Sequence, residues 1–166
     1  MARLSDAPLI TIILGFGGLI PFAAGVIGLG LGPSFPFYVQ VGAGLPIYAA
    51  VILSFLAGGR WASELTLNGD APRSGVLILA ISLCLAGWIA VMLQVWNAGR
   101  LPVNLELVGW GVLIFAFVIQ YLWDRAAIRD NTFPDWYLPL RSMLTLGAVL
   151  SLSLIAFISW SPTFSL

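Results

Sequence analysis

Five long apolar stretches leave this chain few folds to choose from. They run at about 8–31, 43–64, 75–96, 105–124 and 141–160. Each supplies the ~20 residues that a helix needs to cross the hydrocarbon core of a bilayer. The runs are continuous rather than alternating, which argues against barrel strands. Lipid must be the solvent, because only 8% of the residues are charged, against about 25% in soluble domains. The expected fold is an all-α integral membrane protein, a bundle of five transmembrane helices in a single transmembrane domain spanning 1–166. The opening MARLSDAP is too short and too acidic for a transit peptide. The run after it is longer than a signal-peptide core and has no small-x-small cleavage pattern, so it reads as a retained helix.

Composition removes several function classes. Formal net charge is zero, which gives no reason to expect a nucleic-acid partner. There is no histidine. That excludes histidine ligation of haem, zinc or iron and histidine general-base chemistry. The one cysteine, Cys84, lies within an apolar run and can form neither an internal disulfide nor a cysteine metal cluster. Gly15-Phe16-Gly17-Gly18 sits inside an apolar span and is followed by no Gly-Lys, so it is not a phosphate loop. Ser54 has no histidine partner. The chain is therefore expected to be no enzyme, with no catalytic residues, metal site or cofactor.

Within the spans, small residues recur. Ala50, Ser54, Gly58 and Ala62 fall every fourth residue in the second span, and Ala24, Gly28 and Gly32 do so in the first. Such ladders let helix backbones approach closely in lipid, so both are expected to face neighbouring helices. Pro21 is expected to kink the first helix. The segment Phe133-Pro134-Asp135-Trp136-Tyr137 is too polar to cross and too aromatic for bulk water. It reads as an interfacial piece.

Seven arginines and no lysine supply all the basic charge. With five spans, Arg3, Arg60, Arg73, Arg125, Arg129 and Arg141 gather on one side and only Arg100 on the other. Basic residues favour the cytoplasm, which predicts a cytoplasmic N-terminus and a periplasmic C-terminus. Trp61, Trp123 and Trp136 then fall at the inner boundary and Trp96, Trp110 and Trp160 at the outer. Gln94 reads as an outer boundary residue.

The inner boundary also collects Arg60, Glu64, Gln120, Asp124, Arg125 and Arg141. Ionisable groups within a membrane are costly and mark function by default. Two readings compete. In one, Arg60–Glu64 and Asp124–Arg141 pair and lock the second, fourth and fifth helices together. In the other, Arg60, Glu64, Gln120, Asp124 and Arg141 line a pocket for a lipid or quinone head group. Gln120, one turn deeper than Asp124, favours the pocket.

Tyr48 and the run Ile52-Leu53-Ser54-Phe55-Leu56-Ala57-Gly58, ending at Trp61, resemble the signature of the transmembrane-protein-sixty-nine-like family. Gln120, Asp124-Arg125, Trp136-Tyr137, Leu140-Arg141 and Leu144-Thr145 resemble its second half. The family pattern has a polar or His-like residue before that Trp, where this chain has Gly59-Arg60. No metal or cofactor role carries over there. The resemblance implies a small integral membrane protein of the kind found in proteobacteria and mitochondria, with no assigned activity. The expected function is an accessory subunit or assembly factor of a larger bioenergetic complex in the bacterial inner membrane. Its partners would be membrane lipids and other integral membrane subunits. The alternative is a small carrier, or a quinone- or lipid-binding protein.

Overall fold

The computed structural model describes residues 4–96, 104–129 and 132–160. The expectations on Arg3 and Arg100, and on the Arg129 side chain, lie outside the described residues. All regular structure in the described residues is helical. A 3-10 turn, Leu4–Asp6, precedes α1 (Leu9–Gly17), α2 (Ile20–Gly30), α3 (Tyr38–Leu67), α4 (Ser74–Val95), α5 (Leu105–Arg129) and α6 (Tyr137–Trp160). Taken together, α1 and α2 form one interrupted span, and five helices are long and apolar enough to cross a membrane.

The interruption is not at Pro21 itself. The chain turns at Gly18-Leu19, and Pro21 falls in the first turn of α2. A proline costs least there, because the first N–H groups of a helix have no intrahelical acceptor. The Gly18 carbonyl at the break accepts a hydrogen bond from the Tyr48 hydroxyl at 2.9 Å. The link to α3 then closes through Gly32, whose φ of 79° suits a residue without a Cβ.

Neighbours in sequence are neighbours in space: α3 packs on α4, α4 on α5 and α5 on α6, while α2 closes the ring by touching both α3 and α6. Contacts between α3 and α5 cross the middle. Phe22, Leu53, Leu113, Phe117, Leu152 and Ile155 fill it, almost wholly shielded. The Phe22 ring meets Tyr48 and Phe117 edge-on at 5.4 and 6.1 Å, the geometry that aromatic quadrupoles favour. At about 1.5 Å per residue, the 30 residues of α3 span roughly 45 Å, more than a hydrocarbon core of ~30 Å. Its ends therefore reach the interfaces.

Helix ends differ from the sequence expectation. α3 begins at Tyr38 rather than near 43, α5 continues past 124 to Arg129, and α6 begins at Tyr137 rather than 141. The α5 extension carries Arg125 and Arg129, and the α6 extension carries Pro139 just before Arg141, which is why an apolar-run reading stops short of both.

The small-residue ladders are displaced by one position from the faces that pack. On α3 the buried stripe is Leu45, Ala49, Leu53, Ala57, Arg60 and Glu64. Ala50 touches Gly87, where an added Cβ would meet Ala50 Cα at 3.2 Å, and Ser54 donates to the Ala50 carbonyl at 2.8 Å. Gly58 and Ala62, however, face outward. On α2, Ala24 is exposed and Gly25 is the close contact, its Cβ position 2.5 Å from Leu45. Gly28 is buried against Phe35 and Val41 as expected. Gly32 is buried but lies past the helix, in the turn. A second correction concerns Trp110. It is shielded inside the bundle rather than lying in an outer belt, with its indole on Glu106, whereas Trp96 and Trp160 are exposed. Cys84 points outward from α4.

Candidate functional site

The end of the bundle formed by the last turns of α3 and α5 and the first turns of α4 and α6 holds the charges. α5 presents Gln120 and Asp124 one turn apart on its inward face, as an i, i+4 pair must. α6 presents Arg141 and Thr145 by the same spacing. Asp124 Oδ2 accepts from Arg141 Nε at 2.6 Å, and Oδ1 accepts from Gln120 Nε2 at 2.9 Å. Both side chains of the ion pair are almost fully buried, at 4% and 3% exposure. Gln120 is wholly enclosed. The expected Asp124–Arg141 pair is present, and it ties α5 to α6.

The Arg60–Glu64 pair is not. Glu64 is drawn to Arg73 at the start of α4. The Arg73 backbone N–H donates to Oε1 at 2.7 Å, and the guanidinium grips both oxygens, with Nη2 to Oε2 at 2.7 Å. A carboxylate at that place also suits the positive end of the α4 dipole. Arg60 turns instead into the bundle. Its guanidinium carbon stands 4.6 Å from the Trp123 ring centre and 5.5 Å from that of Phe133. Both distances are within cation–π range. The order of charges carried a warning: in a helix, an acid N-terminal to a base four residues on pairs better than the reverse, and here the arginine comes first.

Phe133 belongs to the interfacial segment, where the Phe133 and Tyr137 rings lie 5.0 Å apart. This aromatic group lies over the cluster. Arg125, by contrast, is exposed. Among the described residues, the buried atoms Gln120 Oε1, Arg141 Nη2 and Thr145 Oγ1 of the cluster have no hydrogen-bond partner. They comprise an acceptor, a donor and a hydroxyl that can be either. Of the five residues expected to form an inner pocket, Arg60, Gln120, Asp124 and Arg141 converge, and Glu64 is held apart by Arg73. Among the described residues, the cluster joins one carboxylate to one guanidinium and one amide. Among the described residues no group of three or more His, Cys, Asp or Glu could hold a metal ion.

Comparison with known proteins places the chain. A family model described as "Protein of unknown function (DUF3429)" matches residues 7–157. The chain belongs to the DUF3429 family. Its similarity to Transmembrane protein 69 of Xenopus tropicalis, at 31% identity over 150 residues, covers 90% of this chain and 54% of that protein. The chain thus spans about half the length of that relative. No solved structure matches. The DUF3429 match extends from just before α1 to the last turns of α6, so it takes in all five spans and every member of the charged cluster.

Proposed function

We propose that this DUF3429 protein is a non-enzymatic accessory subunit or assembly factor of a larger membrane complex, of the bioenergetic class. One observation carries the reading. The outward turns of α3 at Gly58, Gly59 and Ala62 are uncovered by the other described residues. A Cβ added at Gly58 or Gly59 would meet nothing within 4 Å. Elsewhere the chain uses small residues to bring helices together, as at Gly87 against Ala50. A helix of another subunit can approach this face just as closely. In the charged cluster both Asp124 oxygens are taken up by Arg141 and Gln120, which suits a tie between α5 and α6. Extraction into native-lipid particles should recover the protein with a stoichiometric membrane partner. Gly58→Leu with Ala62→Leu should release that partner while the thermal stability of the isolated chain stays unchanged. A lone monomer or self-oligomer in every extraction overturns the proposal.

The arginine-rich end belongs, on this reading, at the cytoplasmic face of a bacterial inner membrane, because Arg60, Arg73, Arg125 and Arg141 share it. In a Cys84→Ser background, Asp135→Cys should react with a membrane-impermeant thiol reagent only after the cells are opened. Labelling in intact cells reverses the orientation.

A second reading is favoured by the three unpartnered atoms at Gln120, Arg141 and Thr145. There the cluster receives the head group of a quinone or lipid, or belongs to a small carrier.

A further inference from the structure

The opposite end of the bundle is built differently. A cavity of about 630 Å³, partly open, lies among the first turns of α3, the last turn of α4, the start of α5 and the end of α6. Pockets of roughly 300–1,000 Å³ are the size that holds a small ligand. Its walls are mainly apolar, and among the described residues lining it Glu106 is the one charged side chain. Trp110 fixes that carboxylate: its indole N–H donates to Oε1 at 3.3 Å, leaving Oε2 for another donor. Two further groups are placed for a ligand. Gln94 lines the cavity, and its buried Nε2 has no hydrogen-bond partner among the described residues. The Gly42 carbonyl lacks its usual donor four residues on, because that position is Pro46, and both residues line the cavity.

We propose that this cavity binds the head group of a phospholipid that carries a primary ammonium. The ammonium sits on Glu106 and the Gly42 carbonyl, and the phosphate accepts from Gln94 Nε2. The chemistry selects that class. A negative, acceptor-rich wall calls for a cation with several N–H donors, which a primary ammonium has and a quaternary one lacks. A single amide donor suits a phosphate ester oxygen. The apolar walls suit acyl chains rather than a free metabolite. The site is independent of the charged cluster, which occupies the other end of the same helices.

The test uses the purified full chain in detergent, titrated with phosphatidylethanolamine, phosphatidylcholine or phosphatidylglycerol and read by thermal unfolding and native mass spectrometry. Phosphatidylethanolamine should raise the unfolding temperature and remain bound, and the other two should do neither. Glu106→Gln keeps an acceptor for Trp110 but removes the charge. It should weaken ethanolamine-lipid binding about tenfold, the loss expected for one charge-assisted contact. Ile47→Trp, on an exposed lining position, should block binding by filling the cavity should the first variant fold poorly. Equal binding of phosphatidylcholine overturns the proposal, as does full binding by either folded variant. Equal stabilisation by free phosphoethanolamine also overturns it, in favour of a soluble ligand.

Discussion

Replacing Asp124 by leucine should destabilise the bundle by about 3–5 kcal/mol, the cost of leaving a buried guanidinium without its counter-ion. Arg141 is 4% exposed and cannot recover its hydration by a small movement of the side chain. The Gln120 amide loses its acceptor in the same substitution. Removing all three polar groups together should have a different outcome. Gln120→Leu, Asp124→Leu and Arg141→Met replace a buried ionic set by apolar side chains of comparable volume. Such exchanges are often neutral or stabilising by about 1–4 kcal/mol. Unfolding followed by tryptophan fluorescence in lipid bicelles measures both. Recovery in the triple variant with the partner still bound makes the cluster a structural lock. Recovery of stability with loss of the partner, or of quinone or lipid binding, makes it a recognition site. A triple variant as unstable as the single one means that the cluster holds a further polar group at Gln120 Oε1, Arg141 Nη2 and Thr145 Oγ1, which favours the head-group reading.

The five spans were readable because lipid imposes one rule on every crossing segment, and an apolar run of sufficient length satisfies it. The Asp124–Arg141 pair was readable for a related reason. Opposite charges at the facing ends of adjacent helices have few other partners in a low-dielectric setting. Glu64 was misassigned because spacing along one helix competes with a partner across a tight turn. Arg73 offers Glu64 a backbone N–H and a two-oxygen grip that Arg60, on the wrong side of it in sequence, cannot match.

The ladders match the packed faces only in part, for a geometric reason. With 3.6 residues per turn, a step of four advances about 40° past a full turn, so three steps rotate a residue about 120° around the helix. Ala50 therefore meets Gly87 while Ala62 has rotated to the outside. The buried set Ala49, Leu53, Ala57, Arg60 and Glu64 includes one step of three, which corrects that drift. Gln94 and Trp110 were assigned to a boundary by depth alone. Depth does not say which side of a helix faces the bundle, so the cavity they share with Glu106 was invisible in sequence.

Gly109→Ala and Gly111→Ala, two positions apart on α5, should have opposite effects. A Cβ at Gly109 would lie 2.8 Å from the Ala90 carbonyl oxygen and 2.8 Å from Gln94 Cγ. The carbonyl is part of the α4 backbone and cannot rotate away, so the two helices must separate. Overpacking of this kind costs typically about 1–3 kcal/mol. At Gly111 a Cβ would meet nothing within 4 Å. There alanine only lowers the entropy of the unfolded chain and should be neutral or stabilising by up to about 1 kcal/mol. Thermal unfolding of the two variants in the same lipid gives the comparison. The Gly109 variant should also bind ethanolamine lipid more weakly, because the displaced Gln94 side chain carries the amide assigned to the phosphate. Should Gly109→Ala prove as stable as Gly111→Ala, the close approach of α4 and α5 is not what positions Gln94, and the cavity must be held by the other helices that line it.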